Sequence, residues 1–203
     1  MTEAGPIEFY FDFLSPYGYL GSVGIERIAA QHGRRVLWCP MLLGVTVIKI
    51  MGLRPVPETP LKGEYAAHDL VRFFRLVGEP WRPAPDEQLD PLPGLRAFVW
   101  LDERDPAAAK ALAQRLYRAQ WCEGRSISTP TRVAEEAAAL GIDAGAVRAA
   151  LANDRIKTLL RERVDASIEK GVFGCPTFIV DGEMFWGADR LDQVERWIAT
   201  GGW

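Results

Sequence analysis

The chain has 203 residues, which suits one domain or one domain carrying an insertion. Hydrophobic residues make up 48% and charged residues 25%, as in a soluble globular protein, and a net charge of −3 argues against a nucleic-acid footprint. No apolar stretch reaches the length of a membrane span, and residues 1–6 carry neither a basic nor an apolar leader region.

The three cysteines, Cys39, Cys122 and Cys175, stand far apart. They form no C-x-x-C pair and no zinc-ligand spacing, so no metal centre is expected. Free thiols in a reduced, cytoplasmic setting are expected instead.

Ile7 to Leu14 is an apolar, aromatic run of strand length. Pro16 stops the strand but fits the first turn of a helix, where its missing N–H costs nothing. Ser15 then falls at the N-cap, among the free N–H groups and the partial positive charge of a helix start. Such a position accepts an anion, although a Ser-Pro pair also serves as a plain cap.

The helix runs to about Gln31 and ends at Gly33. Arg35 to Cys39 reads as a second strand, stopped by Pro40. Met41 to Pro60 is rich in Gly and Pro yet unusually apolar, and predicts a short helix with packed ends. From Leu61 to Gly171 the periodicity is helical throughout, with a Pro-rich connection at Trp81 to Pro91. Asp105-Pro106 and Thr129-Pro130 repeat the cap-then-proline signal, and Asp143 caps a further short helix. Strands return at Thr177 to Val180 and Glu183 to Trp186, joined by the Asp181-Gly182 turn. Asp189 is expected to cap a last helix, Arg190 to Thr200.

A β-α-β unit and a β-β-α unit sharing one sheet is the thioredoxin arrangement, an α/β fold. The helical block interrupts it. The expected division is a split thioredoxin-like domain, 1–60 and 172–203, around an all-helical insertion, 61–171.

Redox members of that fold carry C-x-x-C after the first strand. Here the four positions are Ser15-Pro16-Tyr17-Gly18, so disulfide exchange is unavailable there. Pro176, just before the returning strand, is expected to be cis and near Ser15. The Cys175 backbone is then free to pair with an extended ligand, while its side chain reads as a small packing residue. Asp189 marks a second helix start able to meet an ammonium group. His32, His68 and Cys122 read as surface or packing residues, and the seven tryptophans as mostly core.

Three stretches together resemble 2-hydroxychromene-2-carboxylate isomerase and the kappa-class glutathione transferases. They are Phe9-Tyr10-Phe11-Asp12-Phe13-Leu14-Ser15-Pro16-Tyr17, Gly171-Val172-Phe173-Gly174-Cys175-Pro176-Thr177-Phe178 and Phe185-Trp186-Gly187-Ala188-Asp189-Arg190-Leu191. The Leu61 to Leu70 segment, with Lys62, Tyr65 and Asp69, is similar to the family's helix after the second strand.

The resemblance implies a glutathione cofactor. It puts the catalytic serine on Ser15, the cis-proline on Pro176, the γ-glutamyl anchor on Asp189 and Arg190, and the glycyl-carboxylate contact on Lys62. Leu53 departs from it, standing where relatives often carry asparagine. The implied reaction is glutathione-dependent cis-trans isomerisation of 2-hydroxychromene-2-carboxylate. The implied partners are glutathione and a small aromatic substrate, and the implied assembly is a homodimer. A kappa-type transferase or peroxidase, or a redox-inactive peptide-binding module, are the alternatives.

Overall fold

The computed structural model describes residues 5–85 and 88–203. Residues 1–4, on which most of the leader reading falls, and positions 86 and 87 of the Pro-rich connection lie outside the described residues. Four strands form one sheet in the order β2-β1-β3-β4. β1 (Ile7–Phe11) lies parallel to β2 (Val36–Pro40) and antiparallel to β3 (Thr177–Val180), which pairs antiparallel with β4 (Glu183–Trp186). Helix α1 (Pro16–Gln31) connects the parallel pair. Between the two halves lie α2 (Lys62–Leu76), α3 (Leu92–Asp102), α4 (Pro106–Cys122), α5 (Pro130–Ala138), α6 (Ala144–Ala152) and α7 (Asp154–Glu169). Among the described residues no strand falls in that stretch, and α8 (Leu191–Thr200) closes the chain.

The core sits on one face of β1. Ile7, Phe9 and Phe11 alternate toward it and are fully buried. Phe9 meets Trp38 edge-on at 4.8 Å, Phe11 meets Phe98 at 4.9 Å and Phe13 meets Tyr117 at 4.8 Å. Each such ring pair contributes about 0.5–1.5 kcal/mol beyond its buried area. The rings therefore join the sheet to α3 and α4 of the helical block.

The structure departs from the sequence expectation in four places. β1 ends at Phe11, not Leu14, because the Asp12 carbonyl turns to Tyr117 O–H (2.9 Å) and Ser15 N–H (3.0 Å). Pro40 belongs to β2, an edge strand where a missing N–H leaves little unpaired. The 41–60 segment forms one stretch of π-helix, Gly44–Ile50, and one 3₁₀ turn, Val56–Glu58. Asp189 is no cap: the chain enters a 3₁₀ turn, Ala188–Arg190, one residue before it, and α8 starts without a side-chain cap. Gly187, at φ +115°, makes that entry and donates its N–H to Pro176 O at 2.9 Å.

Helix α1 is the element that brings Ser15 to the returning strand. It carries Gly18, Gly21 and Gly24 in its interior, each of which costs a helix about 0.5–1 kcal/mol relative to alanine. They are retained because one side of α1 lies against the segment around Pro176 and Leu191. A methyl group on Gly21 would come within 2.8 Å of Pro176 Cβ and 3.2 Å of Phe178 Cζ.

Gly21→Ala thus sets helix propensity, about 1 kcal/mol in favour, against overpacking, about 1–3 kcal/mol against. Overpacking is the larger because the neighbours are a proline ring and a buried phenylalanine. The variant is expected to lose up to about 2 kcal/mol in chemical denaturation. A gain in stability would show that α1 is free to move off Pro176.

Candidate active site

Ser15 is the N-cap of α1, with extended backbone angles (φ −100°, ψ 111°) and little exposure. Its Oγ accepts from Gly18 N–H at 3.1 Å, and its hydroxyl donates to Cys175 O at 3.1 Å. Pro16 has no N–H, and the Gly18 N–H is held by Ser15. Tyr17 N–H is left as a first-turn donor with no partner inside the helix. The Cys175–Pro176 peptide bond is cis. Ser15, Cys175 and Pro176, distant in sequence, therefore meet at one point.

Beneath them lies Asp12, which is fully buried. Its Oδ1 accepts from Leu14 N–H at 3.1 Å and its Oδ2 from Leu43 N–H at 2.8 Å. Its own N–H points at Cys175 Sγ, 3.3 Å away. Burial pushes its carboxyl up to about 6, against the pull of the two backbone N–H groups. Burial, and then the Asp12 charge, push the Cys175 thiol up to about 12. That thiol stays protonated at neutral pH and is no nucleophile. Tyr117, fully buried on α4, is also pushed well above its usual value by burial.

The first turn of α1 is tied to α2. Tyr17 O–H donates to Asp69 Oδ2 at 2.8 Å, and Arg72 donates to Asp69 Oδ1 at 2.6 Å. The Arg72 guanidinium lies 5.4 Å from the centre of the Tyr65 ring. Trp121 on α4 donates its indole N–H to Phe13 O at 3.1 Å. The helical block thus covers the Ser15 end of the sheet from two sides.

The remaining sequence-derived residues stand apart from this centre. Lys62 is the first residue of α2, exposed and without an ion pair among the described residues. Asp189 and Arg190 are exposed and 3.5 Å from one another, so each is the other's present partner. No contact links these three side chains to Ser15 among the described residues. A groove of about 520 Å³ between β4 and α8 includes Arg190, Trp186 and Trp203 but not Ser15.

Sequence reasoning missed two features. Asp12 was absorbed into a strand, although one carboxylate in an aromatic run is itself a signal. Trp186 counts with the core in the sequence reading, yet it is 53% exposed and its ring lies tilted against Phe173 at 5.0 Å. Trp203, at 64%, is also exposed. Among the described residues no group of His, Cys, Asp or Glu could hold a metal ion.

The DsbA-like thioredoxin domain model matches residues 6–199. A 2-hydroxychromene-2-carboxylate isomerase of Pseudomonas putida is 31% identical over 194 residues, covering 93% of this chain and 92% of that protein. Glutathione S-transferase kappa 2 of Caenorhabditis elegans is 27% identical, covering 98% of this chain and 94% of that one. A solved structure of 2-hydroxychromene-2-carboxylate isomerase superposes with a TM-score of 0.81 at 28% identity, over 95% of this chain and 94% of that one. The fold, the serine in place of C-x-x-C and these likenesses agree: the chain belongs to the DsbA-like thioredoxin family, among the enzymes that include 2-hydroxychromene-2-carboxylate isomerases and kappa-class glutathione transferases.

Proposed function

We propose that the protein is a glutathione-dependent isomerase of a small aromatic carboxylate such as 2-hydroxychromene-2-carboxylate. The supporting observation is the Ser15 hydroxyl, held at a helix N-terminus and donating to the carbonyl beside a cis-proline. When bound, glutathione supplies a thiolate that adds to a conjugated double bond, permits rotation and leaves again.

The residues present fit that ligand. Cys175 O now takes the Ser15 proton. An extended peptide ligand would offer its own N–H to that carbonyl, as in strand addition. The Ser15 hydroxyl is then released to donate to a sulfur instead. Asp189 suits an α-ammonium, and Arg190 and Lys62 suit carboxylates. Arg54, exposed beside Leu53, supplies a further cation.

The energetics are adequate. A thiol of pKa about 8.5 needs about 2.7 kcal/mol to fall by two units. A charge-assisted hydrogen bond offers about 1.5–3 kcal/mol, and a helix N-terminus about 0.3–2 kcal/mol. The same thiolate also serves a kappa-type transferase, and loss of free glutathione during turnover separates that activity from isomerisation. We further propose a cytoplasmic location, a homodimer, and a split thioredoxin-like domain carrying the helical insertion. Among the described residues no helix is long and apolar enough to cross a membrane.

Reduced glutathione at millimolar concentration is expected to raise the melting temperature. No rise would leave a peptide-binding module as the better description.

Ser15→Ala separates capping from chemistry. A cap alone costs about 0.5–2 kcal/mol of stability and leaves turnover intact. A donor to the thiolate costs roughly ten- to a hundredfold in turnover. The ultraviolet absorbance of the bound thiolate should then titrate at higher pH in the variant. Unchanged titration and turnover would reduce Ser15 to a cap.

A further inference from the structure

We infer that Asp12 is a positioning residue, whose carboxylate sets the Ser15 hydroxyl and the segment after β2 in one fixed geometry. The inference rests on the glutathione site proposed above and extends it to a residue that does not touch the ligand.

The geometry carries it. Every polar atom of Asp12 has a partner, three of the four on segments that meet Ser15. Oδ1 holds Leu14 N–H, in the turn that leads into Ser15 (3.1 Å). The carbonyl accepts from Ser15 N–H itself (3.0 Å) and from Tyr117 O–H (2.9 Å). The N–H faces Cys175 Sγ (3.3 Å), on the residue whose carbonyl receives the Ser15 hydroxyl. Oδ2 holds Leu43 N–H (2.8 Å), where the π-helical stretch begins. Leu43 and Cys175 both pack against the cluster of Tyr10, Met41 and Val172. One residue therefore ties together the end of β1, the start of α1, the segment after β2, α4 and the loop before β3.

Both carboxylate oxygens accept from N–H donors, which is the pattern of an ionised group. The titratable groups facing it are Tyr117 from α4 and Cys175 from the loop before β3, both neutral at neutral pH. Asparagine has nearly the same shape but one acceptor oxygen. It would turn its NH₂ donor toward either Leu14 N–H or Leu43 N–H. The Ser15 turn or the Leu43 segment would then shift.

Asp12 also carries a charge, so a single variant mixes two effects. Losing the charge favours a nearby thiolate, whereas losing the geometry disfavours it. A double-mutant cycle separates them. The charge acts whether or not Ser15 has its hydroxyl; the positioning acts only through that hydroxyl.

The test is the thiolate titration of bound glutathione in wild type, Asp12→Asn, Ser15→Ala and the double variant. The shift caused by Asp12→Asn should be more positive with Ser15 present than in the Ser15→Ala background. The expected gap is about half to one pKa unit, roughly three- to tenfold in the ionisation constant. Equal shifts in the two backgrounds would overturn the positioning role. If Asp12→Asn does not fold, Tyr117→Phe takes its place, since it leaves the carboxylate in place and frees the Asp12 carbonyl, along with the Tyr117 contact to Cys175; a smaller gap of the same sign is expected, and equal shifts overturn the role again. A wild type without any thiolate signal would instead sink glutathione use, and this inference with it.

Discussion

The structure depends on one constraint: the chain leaves its central strand at Asp12 without leaving the interior. Every polar group made available there has to find a partner inside the protein. An apolar residue at this position would strand Leu14 N–H and Leu43 N–H, at about 1–3 kcal/mol each. The carboxylate satisfies both, and the backbone of the same residue holds Ser15 N–H and Tyr117 O–H. The position of the Ser15 hydroxyl is therefore a consequence of how a buried turn pairs its backbone. The function proposed for Ser15 and the stability supplied by Asp12 draw on the same set of hydrogen bonds.

Helix α1 shows the same coupling from the other side. Its interior glycines weaken it as an isolated helix, and a soluble helix of its length gains most of its stability from packing. That packing comes from Leu20, Ile25 and Ile28, which are buried, and from Trp38, whose indole N–H donates to Glu26 at 2.6 Å. In return the glycines let the helix lie close to Pro176, so that its N-cap hydroxyl reaches Cys175 O. A helix of stronger propensity would stand farther off, and the Ser15 to Cys175 contact at 3.1 Å would be lost.

Most of the element order was legible because its signals are local. Asp105, Thr129 and Asp143 do cap their helices, accepting from Ala108, Arg132 and Ala146 N–H at 2.9, 3.3 and 2.7 Å. The Ser15-Pro16 pair is of the same kind. What escaped depends on partners far along the chain. Asp12 pairs with residues 31, 105 and 163 positions away, and no window of sequence contains them. The end of β1 was misplaced for that reason, since aromatic character continues through Phe13 while the hydrogen bonding does not. Asp189 was misread because Asp before a periodic run is the ordinary cap signal. The positive φ of Gly187 moves the turn one step earlier and leaves the carboxylate exposed. Exposed Trp186 escaped because residue type alone does not say which side of an edge strand is covered.

A buried carboxylate under an anion site looks self-defeating, and its effect on Cys175 shows why it is not. The Cys175 thiol lies against Asp12, buried, where desolvation and the carboxylate charge both disfavour a thiolate. The proposed ligand sulfur would instead meet the Ser15 hydroxyl at the N-terminus of α1. There the hydroxyl, the Tyr17 N–H and the helix dipole all favour negative charge. Burial and the Asp12 charge thus keep the protein's own sulfur protonated, while on the proposed reading the donors at the start of α1 are left to a ligand sulfur. Serine also matters here, because a cysteine at that position could be joined to a ligand thiol in a disulfide whenever an external oxidant took up the two electrons. With Ser15 a ligand sulfur would stay free both to add to a substrate and to leave it, which the proposed isomerisation requires.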